Sequence, residues 1–216
     1  MSIQDNILRI KKSLPKEVTL IAVSKTKTNE QILEAYNAGQ RDFGENRVQE
    51  IVPKHEALPK DIRWHLIGHL QTNKVKYIAS FVHLIHSVDS ESLLAEINKQ
   101  AAKSNRVIPI LLQVFIAQEE TKFGFSFEEI EKLMAENPEI KYPNVRIEGL
   151  MGMATNTENQ TQIRNEFHSL KNFFVSLNTQ HSILNTISMG MSSDWKIAVE
   201  EGSTMIRVGS SIFGER

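Results

Sequence analysis

The chain has 216 residues, of which 40% are hydrophobic and 24% are charged, so it falls in the globular range with enough length for one substantial core. Its 25 basic and 26 acidic residues give a formal charge of −1, which argues against a nucleic-acid-binding or membrane-surface protein. There is no cysteine, and neither an export signal nor a bilayer-spanning apolar run is evident. We therefore expect a cytoplasmic protein with one domain, residues 1–216, and without disulfides or thiolate metal sites.

The first predicted element is a helix, because Ile3, Ile7, Ile10 and Leu14 lie on one helical face. After it, strand-like and helix-like segments alternate in a regular way. Eight strands are predicted: Thr19–Lys25, Asp42–Glu45, Arg63–Gly68, Leu84–Val88, Ile108–Phe115, Arg146–Met151, Ile183–Met189 and Met205–Gly209.

The helices between these strands carry recognisable start and stop signals. Residues 28–31 and 126–129 have the pattern of capping boxes, and Gly39 and Gly202 stand where helices are expected to end. The clearest helix has apolar residues at steps of four, three, four and three, which predicts one buried face: Ile163, Phe167, Leu170, Phe174 and Leu177.

Eight strands joined by helical crossovers predict an α/β fold, and a closed (β/α)8 TIM barrel is favoured over an open sheet. The chain is somewhat shorter than the typical barrel, which has about 250 residues. Almost nothing follows the last strand, so the additional N-terminal helix is expected to fill the missing outer position. The sequence has no internal repeat or Pro/Gly-rich linker that would indicate a second domain.

Barrel proteins build their sites at the carboxyl ends of the strands. Lys25, Asn46, His69 and Asp89 lie at or just after the ends of the first four predicted strands. Lys25 stands out because a partly desolvated amine is more easily deprotonated, and only a neutral amine attacks a carbonyl carbon. The position predicts a lysine that captures an aldehyde or ketone.

Two segments rich in glycine and serine follow the last two strands, at residues 188–194 and 207–210. In the first, small residues precede a predicted helix whose amide groups and positive dipole end favour a phosphate. In the second, Gly209 permits close approach of the backbone and Ser210 adds a hydroxyl donor. A reactive lysine facing a phosphate cradle fits pyridoxal 5′-phosphate (PLP), which supplies both an aldehyde and a phosphate.

Seven segments of the sequence form a specific combination: AVSKTK (22–27), FGENRVQE (43–50), WHLIGHLQTNK (64–74), KFGF (122–125), GLMGM (149–153), SMGMSSDW (188–195) and GSTMIRVGSSIFGER (202–216). In this order they resemble the pyridoxal phosphate homeostasis protein family. The resemblance covers nearly the whole chain. It implies a barrel like the N-terminal domain of alanine racemase without that enzyme's second domain, and a protein that binds and regulates PLP with no established catalytic activity.

The resemblance also implies roles for six residues. By it, Lys25 forms the Schiff base with PLP, Asn46 lies near the pyridine ring, and Arg207 faces the pyridine nitrogen, while the phosphate is held by Ser188, Gly209 and Ser210. The implied function is buffering, delivery or sensing of PLP inside the cell, with PLP-dependent apoenzymes as recipients. We expect a monomer that binds neither nucleic acid nor membrane.

The alternative is a PLP-dependent enzyme such as a weak amino-acid racemase. An arginine donates hydrogen bonds and cannot accept them, so Arg207 favours a neutral pyridine nitrogen, and a neutral ring is a poorer electron sink. The tyrosines Tyr36, Tyr77 and Tyr142 lie away from the predicted strand ends, so no replacement for the racemase's tyrosine base is evident. A third possibility is a barrel enzyme in which Lys25 reacts with another phosphorylated aldehyde or ketone.

Several polar residues near these motifs have a structural interpretation. His65 and His69 are spaced like metal ligands on a helix, but the segment is predicted as strand and turn, so packing or hydrogen bonding is favoured over metal binding. Asp89 and Asp194 are interpreted as helix caps. Glu45, next to Asn46, has no structural duty that the sequence reveals, and its role is left open.

Overall fold

The computed structural model describes residues 2–117, 124–181 and 184–214. Its eight strands are all parallel, pair in chain order and close into a barrel in which β1 also pairs with β8. The strands are β1 Thr19–Val23, β2 Asp42–Glu45, β3 Arg63–Leu66, β4 Leu84–Val88, β5 Ile108–Val114, β6 Val145–Gly152, β7 Thr186–Ser188 and β8 Met205–Val208. The predicted (β/α)8 barrel is confirmed.

The crossovers between strands are helical. The helices are α1 Ile3–Ser13, α2 Asn29–Asn37, α3 Val48–Ala57, a 3₁₀ helix Thr72–Tyr77, α4 Glu91–Lys103, α5 Phe127–Ala135, α6 Pro138–Lys141, α7 Gln160–His181, α8 Trp195–Glu200 and α9 Ser210–Phe213. The additional N-terminal helix α1 packs against α2 and α9, and the Asn6 side chain donates a hydrogen bond of 2.9 Å to the carbonyl of Ile212. It occupies the outer position that the short segment after β8 leaves open, as expected.

The predicted strands are present, but most of their ends differ by one to three residues. β1 ends at Val23 and not at Lys25, and β3 ends at Leu66. β7 is a short strand of three residues, and Ile183, where it was predicted to begin, lies outside the described residues. Early strand ends are expected at a barrel mouth, because the chain there turns into the loops that form the site.

The helix starts, the helix ends and the buried helix face predicted from the sequence are confirmed. Residues 28–31 and 126–129 form reciprocal capping boxes at the starts of α2 and α5. Gly39 and Gly202 have φ angles of 85° and 89°, in the left-handed region that glycine adopts without a steric cost. On α7 the predicted apolar face is buried in full: Ile163, Phe167, Leu170, Phe174 and Leu177.

The core has two parts, separated by the sheet. The larger part lies between the strands and the surrounding helices. The smaller part consists of Leu84, Leu111 and Met151, with Met205 packed against them. These residues come from β4, β5, β6 and β8, so their contacts cross the barrel interior. Beside them the interior holds buried polar side chains, among them His65 and His86.

The length and hydrophobicity of the helices bear on whether any of them could cross a membrane. Across residues 2–117, 124–181 and 184–214, none combines the length and the hydrophobicity that crossing a bilayer requires.

Candidate functional site

A cavity of about 540 Å³ opens at the mouth of the barrel, where the carboxyl ends of the strands lie. Five of the six residues proposed from the sequence line it: Lys25, Asn46, Arg207, Gly209 and Ser210. They come from the ends of β1, β2 and β8 and are brought together by the closure of the barrel, since β1 pairs with both β2 and β8. The volume is in the range of small-molecule and cofactor sites.

Ser188, the sixth of these residues, does not line the cavity. It is the last residue of β7, is fully buried, and its hydroxyl lies 2.6 Å from Nη1 of Arg207. The cavity wall contains instead Ser192 and Ser193, four and five residues further on, and Ser211 next to Ser210. The glycine and serine pattern of residues 188–194 pointed to this loop, but it could not indicate which serine faces the cavity.

Lys25 is half-buried and lies two residues beyond β1, in a loop held by helix α3. The Nζ of Lys54 donates a hydrogen bond of 2.9 Å to the carbonyl of Ser24. Thr26 has a φ angle of 64°, and its N–H donates to Oε2 of Glu50 at 2.7 Å. A non-glycine residue in the left-handed region is costly, so these contacts fix the backbone on both sides of Lys25.

Glu45, whose role the sequence left open, lies behind this loop and not in the cavity. It is fully buried, and its Oε1 accepts hydrogen bonds from Ser24 Oγ at 2.6 Å and from Lys54 Nζ at 2.8 Å. Burial raises the pKa of Glu45, although the hydrogen bonds from Lys54 and Ser24 act in the opposite direction. Its Oε2 has no partner in the described part of the chain. Glu45 and Lys54 together form a buried ion pair that supports Lys25.

Replacing Lys54 with methionine is expected to lower the free energy of unfolding by about 3–5 kcal/mol, because Glu45 would keep a buried charge without a cation. The double variant Glu45→Gln with Lys54→Met should recover part of that loss, since it removes the charge as well. Denaturant unfolding measures both, with exposed Lys103→Met as the control. A loss below about 1 kcal/mol for Lys54→Met would show that the ion pair does not stabilise the loop.

Asn46 reaches the cavity because β3 ends in a glycine loop. A Cβ atom at Gly68 would lie 2.5 Å from the carbonyl oxygen of Asn46 and 2.9 Å from its Cβ. Only glycine allows the two strand ends to approach this closely. The GENR and LIGH segments of the sequence are therefore coupled by packing at the mouth of the barrel.

Arg207 lies at the base of the cavity with 4% of its surface exposed. Its Nη1 donates to Ser188 Oγ at 2.6 Å, and its Nη2 donates to the carbonyl of Gly152 at 3.1 Å. Burial lowers the pKa of Arg207 to about 10, and the charge of Asp194 opposes this shift. At neutral pH the side chain is protonated, so it can offer only hydrogen-bond donors to a ligand.

Gly209 and the serines around it form the polar side of the cavity. The N–H of Gly209 donates to Ser192 Oγ at 3.1 Å, and a Cβ atom at Gly209 would lie 3.3 Å from Cβ and from the carbonyl oxygen of Val23. Ser210 and Ser211 begin α9 directly after it. Hydroxyl groups grouped around a backbone without a side chain suit an anion.

Of the two proposed helix caps, Asp89 is wrong, whereas Asp194 does occupy the N-cap position of α8. The N-cap of α4 is Ser90, and Asp89 instead places its Oδ2 3.0 Å from Nδ1 of His69. Asp194 precedes α8, but its Oδ1 accepts from the N–H of Met191 at 2.5 Å and makes no capping bond. Burial raises the pKa of Asp194, and the hydrogen bond from Met191 opposes this shift.

His65 and His69 have different partners, so they do not form a pair. His69 is exposed and bonds Asp89, whereas His65 lies inside the barrel with its Nε2 3.2 Å from Oδ1 of Asp42. Asp42, His65 and His83 do offer three ligand atoms within 4.8 Å of one another. Both carboxylate oxygens of Asp42, however, accept hydrogen bonds from Arg63, at 2.6 and 2.5 Å, so the carboxylate is already paired.

Comparison with known proteins places the chain in a family. The model of the family described as "Alanine racemase, N-terminal domain" matches residues 1–216. A pyridoxal phosphate homeostasis protein of Aquifex aeolicus is 44% identical over 199 residues, which are 91% of this chain and 86% of that protein. The solved structure of PipY from Synechococcus elongatus with PLP bound has a TM-score of 0.88 and 38% identity, and the match covers 99% of this chain and 100% of PipY.

A more distant likeness supports the fold alone. An alanine racemase of Clostridium difficile has a TM-score of 0.83 at 14% identity, and the match covers 100% of this chain but 57% of the racemase. The likeness to this racemase therefore shows a shared barrel, whereas the homeostasis proteins share the barrel and a much larger part of the sequence. The chain belongs to the pyridoxal phosphate homeostasis protein family.

Proposed function

We propose that residues 1–216 act as a single PLP-binding barrel domain that serves intracellular PLP homeostasis, with the cofactor held on Lys25. The observation that carries this proposal is the meeting of Lys25, Arg207 and the serines around Gly209 in one cavity. The relatives named pyridoxal phosphate homeostasis protein and the PLP-bound structure of PipY support the same ligand.

The donor set of the cavity fits each part of PLP. Lys25 supplies the amine for the aldehyde, and Ser192, Ser210 and Gly209 offer hydroxyl groups and a close backbone for the phosphate. Arg207 can only donate, so it suits a pyridine nitrogen that carries no proton. We assign the phosphate to Gly209 and Ser210, as the resemblance implied, and add Ser192, because Ser188 is turned away from the cavity.

Bound PLP supplies an aldehyde that an amine can capture reversibly. Lys25 would hold the cofactor through its neutral amine, which would condense with that aldehyde and release one water. The loop held by Lys54 and Glu50 keeps Lys25 at the cavity wall, which reduces the entropy lost in that step. The open cavity leaves room for a second amine, such as a lysine of a recipient apoenzyme, to displace Lys25.

The test is to mix the purified protein with PLP, record the visible absorbance, reduce with borohydride and locate the label by peptide mass spectrometry. A new visible absorbance band is expected, but the decisive result is a pyridoxyl group on Lys25 alone. A colourless protein, or label scattered over surface lysines, would refute PLP binding at this site and favour an enzyme of another phosphorylated aldehyde or ketone.

The second candidate is a PLP-dependent amino-acid racemase, which the shared barrel fold makes worth testing. None of the three tyrosines, all of them in the described ranges, lines the cavity: the hydroxyl of Tyr36 bonds Asp61, that of Tyr142 bonds Glu91, and Tyr77 ends the 3₁₀ helix. We therefore expect no deuterium incorporation at the α-carbon of alanine above that of Lys25→Ala. Exchange above that background would support the enzyme.

Delivery to apoenzymes, the monomeric state and the cytoplasmic location remain predictions. Delivery requires that a recipient apoenzyme gains activity faster from the PLP-loaded protein than from an equal amount of free PLP. Equal rates would indicate release followed by rebinding, and would restrict the function to buffering or sensing.

A further inference from the structure

A continuous chain of polar side chains crosses the barrel interior from Asp42 to Arg207. The successive contacts are Asp42 Oδ1 to His65 Nε2 at 3.2 Å, His65 Nδ1 to His86 Nε2 at 3.0 Å, His86 Nδ1 to Ser188 Oγ at 3.0 Å, and Ser188 Oγ to Arg207 Nη1 at 2.6 Å. Asp42 is the first residue of β2, whereas Ser188 is the last residue of β7. The chain therefore runs from the amino ends of the strands up to the base of the cavity.

The two ends of this hydrogen-bond chain, together with the need of the Ser188 hydroxyl to donate to His86, fix the direction of every hydrogen bond in it. The guanidinium of Arg207 can only donate, and the ionised carboxylate of Asp42 can only accept. His65 must then carry its proton on Nε2 and, as a neutral ring, accept at Nδ1 from the N–H of His86. His86 in turn accepts at Nδ1 from the hydroxyl of Ser188, whose oxygen accepts from Arg207. All four bonds point from the cavity toward Asp42.

The surroundings favour this neutral, ordered arrangement. His86 and Ser188 are fully buried, and His65 is 1% exposed. Burial lowers the pKa of His86 well below its ordinary value, which favours the neutral ring. In the described part of the chain the Ser188 hydroxyl has only His86 and Arg207 as partners. If His86 donated to Ser188 instead, the hydroxyl hydrogen of Ser188 would have no acceptor.

The Asp42 end of the hydrogen-bond chain is anchored by an ion pair. Arg63 donates to both oxygens of Asp42, and its side chain is 47% exposed. Burial raises the pKa of Asp42, but the hydrogen bonds from His65 and Arg63 outweigh this effect and leave the pKa well below its ordinary value. Asp42 is therefore a permanent acceptor at neutral pH, which keeps the chain ordered in one direction.

We propose that Ser188, His86 and His65 are positioning residues of the cofactor site, which hold the Arg207 guanidinium at the base of the cavity through a hydrogen-bond relay anchored on Asp42. This inference rests on the proposed function and extends it. It assigns Ser188 to Arg207 and not to the phosphate. A guanidinium whose Nη1 is held by Ser188 and whose Nη2 is held by Gly152 has little rotational freedom, so its remaining donors are fixed toward the ligand.

The first test uses the protein without cofactor, so it is independent of the proposed function. Nitrogen-15 NMR of the histidine rings should show His65 and His86 neutral, each with its proton on Nε2, at pH 7. In His86→Leu, the guanidinium N–H signals of Arg207 should shift or exchange faster with water. A protonated ring or an Nδ1–H tautomer at either histidine would overturn the relay.

The second test measures PLP affinity and the absorbance of the bound cofactor. His86→Leu should weaken binding at least about tenfold and shift the absorbance maximum, because Ser188 and Arg207 lose their fixed geometry. His86→Asn should restore part of both, since its side-chain oxygen can accept from Ser188. His83→Leu is the matched control: its ring lies 5.3 Å from that of His65 but is outside the relay.

Ser188→Ala provides a second variant that removes a single hydroxyl, and Ser87→Ala is its control, because the Ser87 hydroxyl bonds the carbonyl of Gly68 instead. Folded His86→Leu and Ser188→Ala proteins with unchanged affinity and spectrum would refute the positioning role. Wild-type protein without a PLP band would refute the proposed function, and the NMR result would then decide the relay by itself.

Discussion

Lys25→Ala is expected to abolish covalent attachment of PLP, with loss of the absorbance band and of the borohydride-trapped label. Lys25 is the lysine whose backbone is held on both sides, by Lys54 at Ser24 and by Glu50 at Thr26, so that it faces the cavity. Lys27 also lines the cavity, but its Nζ donates to the carbonyl oxygens of Phe213 and Gly214, at 3.4 and 3.3 Å, so we expect that it does not replace the attacking amine. Absorbance titration and peptide mass spectrometry of the reduced protein measure the loss.

Lys11→Ala is the control, because it tests whether a lysine outside the cavity captures PLP when its amine is more easily deprotonated. Burial lowers the pKa of Lys11, which makes its neutral amine more available, but the residue lines a different cavity near the start of β1. We expect Lys11→Ala to keep the wild-type spectrum and labelling. Label that persists in Lys25→Ala and disappears in Lys11→Ala would contradict the proposed site.

Gly149→Ala is expected to destabilise the barrel by about 4 kcal/mol or more, one of the largest effects of a single methyl group. A Cβ atom at Gly149 would lie 1.7 Å from the carbonyl oxygen of Thr186 on β7. The register between β5 and β6 shifts here, since Ile110 pairs with Ile147 and Leu111 pairs with Gly149. This bulge brings β6 so close to β7 that only glycine fits, and relief would require the barrel to open.

The measurement is the free energy of unfolding by denaturant, with Gly39→Ala as the matched control. Gly39 has a φ angle of 85° but no atom within 4 Å of an added Cβ, so its cost is conformational only, about 1–2 kcal/mol. If the two variants lost equal stability, the close approach of Gly149 to Thr186 would not be the cause. A large loss of unfolding free energy in Gly149→Ala alone would show that the close packing of β6 against β7 at this bulge stabilises the barrel.

Much of the fold could be predicted because its signals are local. Alternation, helical periodicity and capping boxes depend on residues within a few positions of each other, and they located all eight strands and the outer helix α1. The strand ends were predicted less accurately, because they depend on where hydrogen bonds to neighbouring strands stop. The cap at Asp89 was wrong because its carboxylate contacts His69, and Asp194 stands at the N-cap of α8 but accepts from the N–H of Met191 and makes no capping bond.

The sequence by itself determined the barrel, the order of its strands and the position of Lys25 and Arg207 at the ends of two strands that closure makes neighbours. Only the tertiary structure decided that Ser188 turns to Arg207, that Ser192 lines the cavity, and that Glu45 supports the lysine loop from behind. The physical reason is that these contacts join strands far apart in the chain. The contact of His86 on β4 with Ser188 on β7 exists only because the barrel closes.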